Sequence, residues 1–168
     1  MAIRAIVPTA EEPLRSLAQL VRSRQEQGPV VLATASRPWA SAKAAFEAEG
    51  VDLGKLFVID AITAVSGTGH ESREPNVMVL QSPTMLEMIA MRIEQATLRI
   101  KAANVVLDNL NALTLYNGIG PVQEFGHYLA NRLRTLEVAG DLLILDNDQG
   151  KEIRAAVQGF IDAEEALA

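Results

Sequence analysis

Cysteine is absent from this 168-residue sequence, and histidine occurs only twice, at His70 and His127. Without thiols the chain can form neither a disulfide framework nor a thiolate metal site. Two histidines are also too few for a histidine-rich zinc site. Both are interpreted as ordinary residues, with His70 solvated in a polar loop and His127 half-buried and hydrogen-bonded.

Basic residues are too few and too dispersed for a nucleic-acid interface. The chain carries 15 lysines and arginines against 21 acids, a net charge of −6, and it has no run of Lys or Arg. A protein of this charge repels phosphate backbones, so nucleic acid is excluded as the main partner. No apolar segment approaches the roughly 20 residues of a membrane helix, and the first residues do not resemble a signal peptide. The sequence therefore predicts a cytoplasmic protein without membrane association.

Hydrophobic residues make up 49% of the chain, which is enough for the core of a single domain spanning residues 1–168. Short runs that are apolar almost throughout predict strands covered on both faces, as in a parallel sheet. These runs are IRAIVP, PVVLATA, KLFVIDAI, NVVLDNL and DLLILDND, with a weaker sixth at NVMVLQ. Among them, NVVLDNL is predicted to be central in the sheet, with Asp108 at its carboxyl end.

Helical patterns separate the strand-like runs. Apolar residues at helical spacing predict helices over Glu12–Glu26, Pro38–Glu49, Thr84–Lys101, Pro121–Val138 and Lys151–Ile161. The polar segment from Ala64 to Asn76 is predicted to be a loop. Strands that alternate with helices predict an α/β fold in which helices cover both faces of a parallel sheet, a three-layer sandwich.

Polar residues follow several predicted strands at their carboxyl ends, where open parallel sheets bind ligands. Asp60, Asp108 and Asp148 come at three such ends, and Asn109 follows Asp108. Carboxylates gathered at one edge suit a magnesium ion, so Asp60, Asp108 and Asp148 are the candidate metal ligands. Aspartate is also common where strands end and helices begin, and this structural interpretation stays open beside the metal site.

The stretch NVVLDNLNALTLYN, followed by VQEFGHYLANRLRTLEVAGDLLIL, resembles the Walker B region and following helix and strand of RecA/KaiC-like P-loop ATPases. More narrowly, LATASRPWASAKAAFEAEGVDLGKLFVIDAIT and NVMVLQSPTMLEMIAMRI are similar to small archaeal KaiC-like proteins. The resemblance implies a RecA/KaiC-like P-loop core in which Asp108 is the Walker B aspartate. If a nucleotide binds, the implied contacts are Asp108, Asn109 and Arg37.

The chain departs from that family where a triphosphate would bind. The phosphate loop of the family, G-x-x-x-x-G-K-[ST], surrounds phosphates with backbone N–H groups and neutralises them with a lysine. The corresponding segment here, IVPTAEEPLRSL, has no glycine and no lysine, and Pro8 and Pro13 donate no amide. Glu11 and Glu12 stand at the helix start, where they complement the helix dipole themselves and repel a triphosphate.

These departures predict a degenerate domain without catalytic residues and without a required cofactor. Its predicted role is that of a regulatory or protein-interaction module through self- or partner association, with a homodimer as the simplest closed assembly. The predicted contact surface is an exposed apolar face, either the Thr84–Lys101 helix with Leu86 and Ala90 or the segment carrying Trp39.

Two alternatives to the association module stay open. One is a nucleotide- or magnesium-binding domain with weak or no ATPase activity. The other is a receiver-like phospho-aspartate switch, since Glu11 and Glu12 follow the first predicted strand, Asp60 the third and Lys151 the last. The order is imperfect, because an extra strand and a long helix intervene before Lys151.

Overall fold

The computed structural model describes residues 2–8, 11–67 and 73–167, and His70 lies outside these ranges. Seven parallel strands form one sheet in the order β4-β3-β2-β5-β6-β1-β7. The strands are β1 Ile3–Pro8, β2 Val30–Thr34, β3 Leu56–Asp60, β4 Val77–Val79, β5 Asn104–Asp108, β6 Ala139–Leu143 and β7 Ala163–Leu167. The predicted α/β class is therefore confirmed.

Helices cover both faces of the sheet. They are α1 Pro13–Arg24, α2 Trp39–Ala48, α3 Leu86–Ile100, α4 Leu110–Asn117, α5 Ile119–Thr135 and α6 Asp148–Val157. Alternate residues of the strands divide the core, because Val30 and Leu32 pack with α1 and α2, whereas Val31 and Ala33 pack with the other four helices. The result is the predicted three-layer sandwich. No helix in the described ranges is long and apolar enough to span a membrane.

The strand β5 is the central strand, with three strands on either side, as its sequence predicts. All five of its residues are buried, and it pairs with β2 and β6. Such burial on both faces requires an apolar run without alternation, which NVVLD provides before it ends at Asp108.

Two elements of the fold carry little signal in the sequence. The edge strand β7 has the sequence AEEAL and is almost wholly exposed, so it is held mainly by its backbone pairing with β1. The eight-residue α4 follows β5 directly, and its helical pattern is weak because Leu115 and Tyr116 are exposed. The strand β6 also begins and ends earlier than predicted, since it starts at Ala139 and ends at Leu143.

A buried carboxylate joins three strands and one helix. Asp141 on β6 is fully buried. Its Oδ1 accepts a hydrogen bond from Arg4 Nε of β1 at 2.6 Å, and its Oδ2 accepts from Arg24 Nε of α1 at 2.8 Å and from Asn104 Nδ2 of β5 at 2.7 Å. Burial lowers the pKa of Arg24, but hydrogen bonding and the charge of Asp141 raise that pKa more, so the net shift is upward.

Candidate functional site

The strand order reverses between β2 and β5. From β2 the chain continues to β3 on one side, and from β5 it continues to β6 on the other side, so the two loops diverge above the sheet. Crevices at such reversals are where open α/β sheets bind ligands. Ser36 and Arg37 follow β2 here, while Asp108 and Asn109 stand at the end of β5.

Asp108 is buried at this reversal, with only 4% of its surface exposed. Ser36 Oγ donates a hydrogen bond of 2.6 Å to Asp108 Oδ2. Burial raises the pKa of Asp108, and it outweighs the Ser36 hydrogen bond and the positive charge of Arg37, which lower that pKa. A carboxyl group with a raised pKa in a crevice is a common property of functional sites, although structural carboxyls show it too.

Arg37 lies beside this carboxyl without forming an ion pair with any described residue. Its Nε is buried and has no hydrogen-bond partner in the described part of the chain. Its backbone carbonyl accepts a hydrogen bond of 3.0 Å from Thr34 Oγ1, which holds the loop against the end of β2. The guanidinium is therefore a cation near Asp108 with unused donor capacity.

Asn109 has a structural role at the start of α4. Its Oδ1 accepts from the backbone N–H of Ala112 at 2.8 Å, a side-chain cap of the helix, and its Nδ2 lies 3.4 Å from Asp108 Oδ1. The peptide bond between Asp108 and Asn109 is cis. Because the side-chain oxygen of Asn109 caps α4, only its side-chain nitrogen contacts Asp108.

The structure does not gather Asp60 with Asp108 as metal ligands. Asp60 is 1% exposed and accepts from the backbone N–H groups of Trp39, Ile62 and Thr63 at 2.8 to 3.0 Å. The Thr63 hydroxyl also donates to it, at 2.5 Å. Both carboxylate oxygens therefore hold the loops after β2 and β3, which leaves little capacity for an ion.

Asp148 lies on the surface rather than in the crevice. The strand β6 ends at Leu143, and Asp148 comes later, in the first turn of α6, fully exposed and 3.8 Å from Lys151 Nζ. Within residues 2–8, 11–67 and 73–167, no group of three or more acid, histidine or cysteine side chains could hold a metal ion. Of the three predicted ligands, Asp108 alone stands where the strand order reverses between β2 and β5.

Ser36 is a site residue that the sequence analysis missed. It follows β2 within ASRPW, where Arg37 and Trp39 were the more conspicuous residues. Thr34 of β2 is aligned with both Asp60 and Asp108 on the neighbouring strands. The loop after β2 is therefore bound on one side by Asp108, through Ser36, and on the other by Asp60, through the Trp39 N–H.

The connection between β1 and α1 differs from the expected acidic helix cap. Glu12 is the N-cap residue of α1, yet its side chain makes no capping hydrogen bond, and Pro13 is the first helical residue. Glu12 instead lies 3.4 Å from Arg15, where both side chains are exposed. Glu11 is exposed as well. The described residues at this helix start thus present negative charge and a proline.

A second concave surface lies between α3 and α5. This α3–α5 groove has a volume of about 960 Å³, and its lining residues include Met85, Met88, Met91, Phe125 and Tyr128. Met91 is 42% exposed and Tyr128 is 54% exposed. The groove therefore exposes large apolar side chains of both α3 and α5.

Three predictions about individual residues at the surface are wrong. Trp39 is only 4% exposed and packs edge-on against Phe46, with ring centroids 5.1 Å apart, so it cannot form a contact surface. Ala90 is buried in the core beneath the α3–α5 groove. His127 is exposed rather than half-buried, and its ring stacks on Phe160 at 5.5 Å.

Comparison with known proteins gives a likeness of fold. No protein-family model and no curated protein matches this sequence. Among solved structures, the chain is similar to a KaiC-like protein from the hyperthermophilic archaeon Pyrococcus horikoshii, with a TM-score of 0.71 and 12% sequence identity. The match covers 98% of this chain and 70% of that chain. Identity this low transfers no residue role. The chain therefore has a fold similar to that of a KaiC-like protein, a parallel sheet between two helical layers.

Proposed function

We propose that this chain is a RecA/KaiC-like domain that does not hydrolyse nucleotides and works by associating with protein. The segment between β1 and α1 carries the proposal. Hydrolysis in P-loop proteins depends on backbone N–H groups and a lysine that hold the phosphates, because positioning and charge stabilisation supply nearly all of the catalysis. Here IVPTAEEPLRSL offers two prolines and two glutamates and neither glycine nor lysine.

The surroundings of Asp108 support the same proposal. Its carboxyl group accepts a hydrogen bond from the Ser36 hydroxyl and lies next to the side-chain amide of Asn109. These contacts hold the loop after β2 and the start of α4. That loop contributes Arg37 rather than an acid that could activate water. The Asp60 carboxyl is fully hydrogen-bonded and buried, which counts against a receiver-like phosphoryl acceptor.

The nucleotide- or magnesium-binding alternative has one specific observation in its favour. The crevice contains a buried carboxyl group, Asp108, and a cation, Arg37, whose Nε has no partner among the described residues. Polar groups left unsatisfied where the strand order reverses are what an anionic ligand would use. Binding without hydrolysis is therefore the second candidate function.

Turnover and binding assays separate the two candidates. We expect no magnesium-dependent hydrolysis of ATP or GTP above a protein-free blank, and no thermal shift with ATP, ADP, GTP or cyclic nucleotides, with or without magnesium. The variant Asp108→Asn tests the crevice, and Asp148→Asn is the matched control because Asp148 is fully exposed outside it. Turnover abolished by Asp108→Asn but retained by Asp148→Asn would refute the proposal. A nucleotide-induced thermal shift that is lost in Asp108→Asn and kept in Asp148→Asn, without turnover, would establish binding without hydrolysis.

Light scattering coupled to size exclusion tests association with a second copy of the chain. The predicted homodimer would appear as a molar mass near twice 18.1 kDa that falls on dilution. If the chain is a monomer at every concentration, self-association is ruled out, and the proposed association can only be with a different protein.

A further inference from the structure

The α3–α5 groove combines a flexible apolar lining with charge of a single sign. Three of its lining residues are methionines, Met85, Met88 and Met91, along one side of α3 and the turn before it. Methionine side chains adapt to different partners because they are unbranched and polarisable. The opposite wall is formed by α5, whose Tyr128 and Phe125 add aromatic surface. Such a lining suits large aliphatic and aromatic side chains of a partner.

Every charged residue that lines the groove is a glutamate, namely Glu87, Glu94 or Glu124. Arg132 pairs with Glu94, with Nε 3.2 Å from Oε2, so that charge is largely neutralised. Glu87 and Glu124 are exposed and have no ion-pair partner in the described part of the chain. The rim of the groove therefore carries two uncompensated negative charges, one on each wall.

We propose that the α3–α5 groove binds an amphipathic helix of another protein, with large apolar residues on the face that enters the groove and Lys or Arg at its flanks. The proposal rests on the association part of the proposed function. Helices that dock into grooves place apolar residues at spacings of three and four into the lining, while charged neighbours contact the rim. A volume of about 960 Å³ is at the upper end of the range for ligand pockets and accommodates several large side chains.

Charge decides between a basic helix and a second copy of this chain. In a two-fold dimer the same patch lies on both sides of the interface, so the acidic rim of one groove, with Glu87 and Glu124, would face the acidic rim of the other. Like charges brought together across an interface are costly, and the charged residues that line the groove are all glutamates. A basic helix instead neutralises both glutamates.

The test uses two labelled helical peptides of about 16 residues, roughly 24 Å long, that share one apolar face. One peptide carries Lys at the flanks of that face, and the other carries Glu at the same positions. Fluorescence anisotropy should show the Lys peptide binding about tenfold or more tightly than the Glu peptide. Its affinity should fall at about 0.5 M salt, where the Debye length is below about 5 Å.

Variants locate the binding site. Glu87→Gln with Glu124→Gln should reduce the affinity for the Lys peptide several-fold and weaken its salt dependence, because the rim charges are removed. The matched control, Glu26→Gln with Glu152→Gln, removes two exposed acids outside the groove lining and should change little. Tyr128→Ala with Met91→Ala should reduce binding about tenfold or more, with an unchanged circular dichroism spectrum, since both side chains are exposed.

Three outcomes would overturn the proposal. One is that the Lys peptide does not bind at concentrations up to about 1 mM. Another is that both peptides bind with equal affinity and that the groove variants leave this affinity unchanged. The third is a homodimer that dissociates when Tyr128 and Met91 are replaced, since a second copy would then occupy the groove. None of these outcomes bears on the proposal that the chain does not hydrolyse nucleotides. Conversely, ATP turnover would refute that proposal but would not change how the peptide-binding assay is interpreted.

Discussion

Asp141 offers the sharpest test of how this sheet is held together, because its carboxylate compensates two guanidinium groups. Asp141 is fully buried, and the Arg4 and Arg24 side chains that contact it are 21% and 16% exposed. Removing one partner of a buried ion pair costs about 3–5 kcal/mol, since the remaining charge stays buried without compensation. Both arginines retain some contact with water, which places Asp141→Ala in the lower half of that range, about 3–4 kcal/mol.

In a protein of this size, about 3–4 kcal/mol lowers the melting temperature by roughly 6–16 °C. The single tryptophan, Trp39, is buried against Phe46, so its fluorescence reports unfolding in urea directly. Asp141→Asn keeps the shape of the side chain but removes its charge, and it should lose most of the same free energy. If packing rather than charge were important, this variant would be close to the natural protein.

Glu165→Gln is the matched control for Asp141. Glu165 also pairs with Arg24, at 3.3 Å, but its side chain is 48% exposed. Exposed ion pairs contribute about 0–1 kcal/mol, so the expected loss is small. A loss for Asp141→Ala within about 1 kcal/mol of the loss for Glu165→Gln would refute the reasoning, because burial would then have no measurable consequence.

Two further predictions concern the crevice and α6. Burial raises the native pKa of Asp108 above its unfolded value of about 3.9, so the native state binds more protons and stability falls as pH rises from that value through the native pKa. Asp108→Asn should therefore gain stability relative to the natural protein as pH rises from about 4 to 7 in urea titrations; a pH-independent difference would contradict this. A Cβ at Gly150 would meet the Leu145 carbonyl oxygen at 1.7 Å, so Gly150→Ala should cost about 3 kcal/mol or more. Gly120→Ala is its control in thermal melts, since a Cβ there meets no atom within 4 Å. A loss for Gly150→Ala no larger than the small effect of Gly120→Ala would show that α6 shifts easily.

Apolar runs without alternation were sufficient to place the buried strands β1 and β5. IRAIVP matches β1 residue for residue, and NVVLD is the whole of β5. The reason is local, because a strand covered on both faces must be apolar at nearly every position. An apolar run cannot predict β7, because the residues of β7 are exposed. Its pairing with β1 depends on backbone groups that are distant in the sequence.

Part of the chemistry of the site can be read from the sequence, and the rest depends on the tertiary structure. The sequence alone determines that the segment before α1 has no glycine or lysine, and it identifies Asp108 as the end of a buried strand. Strand order decides which strand ends are neighbours, and here it joins the loop after β2 to the end of β5, so that Ser36 reaches Asp108. Whether a carboxyl is free also depends on tertiary contacts: Asp60 is engaged by three backbone N–H groups and a hydroxyl, and Asp148 lies beyond the end of β6 on the surface.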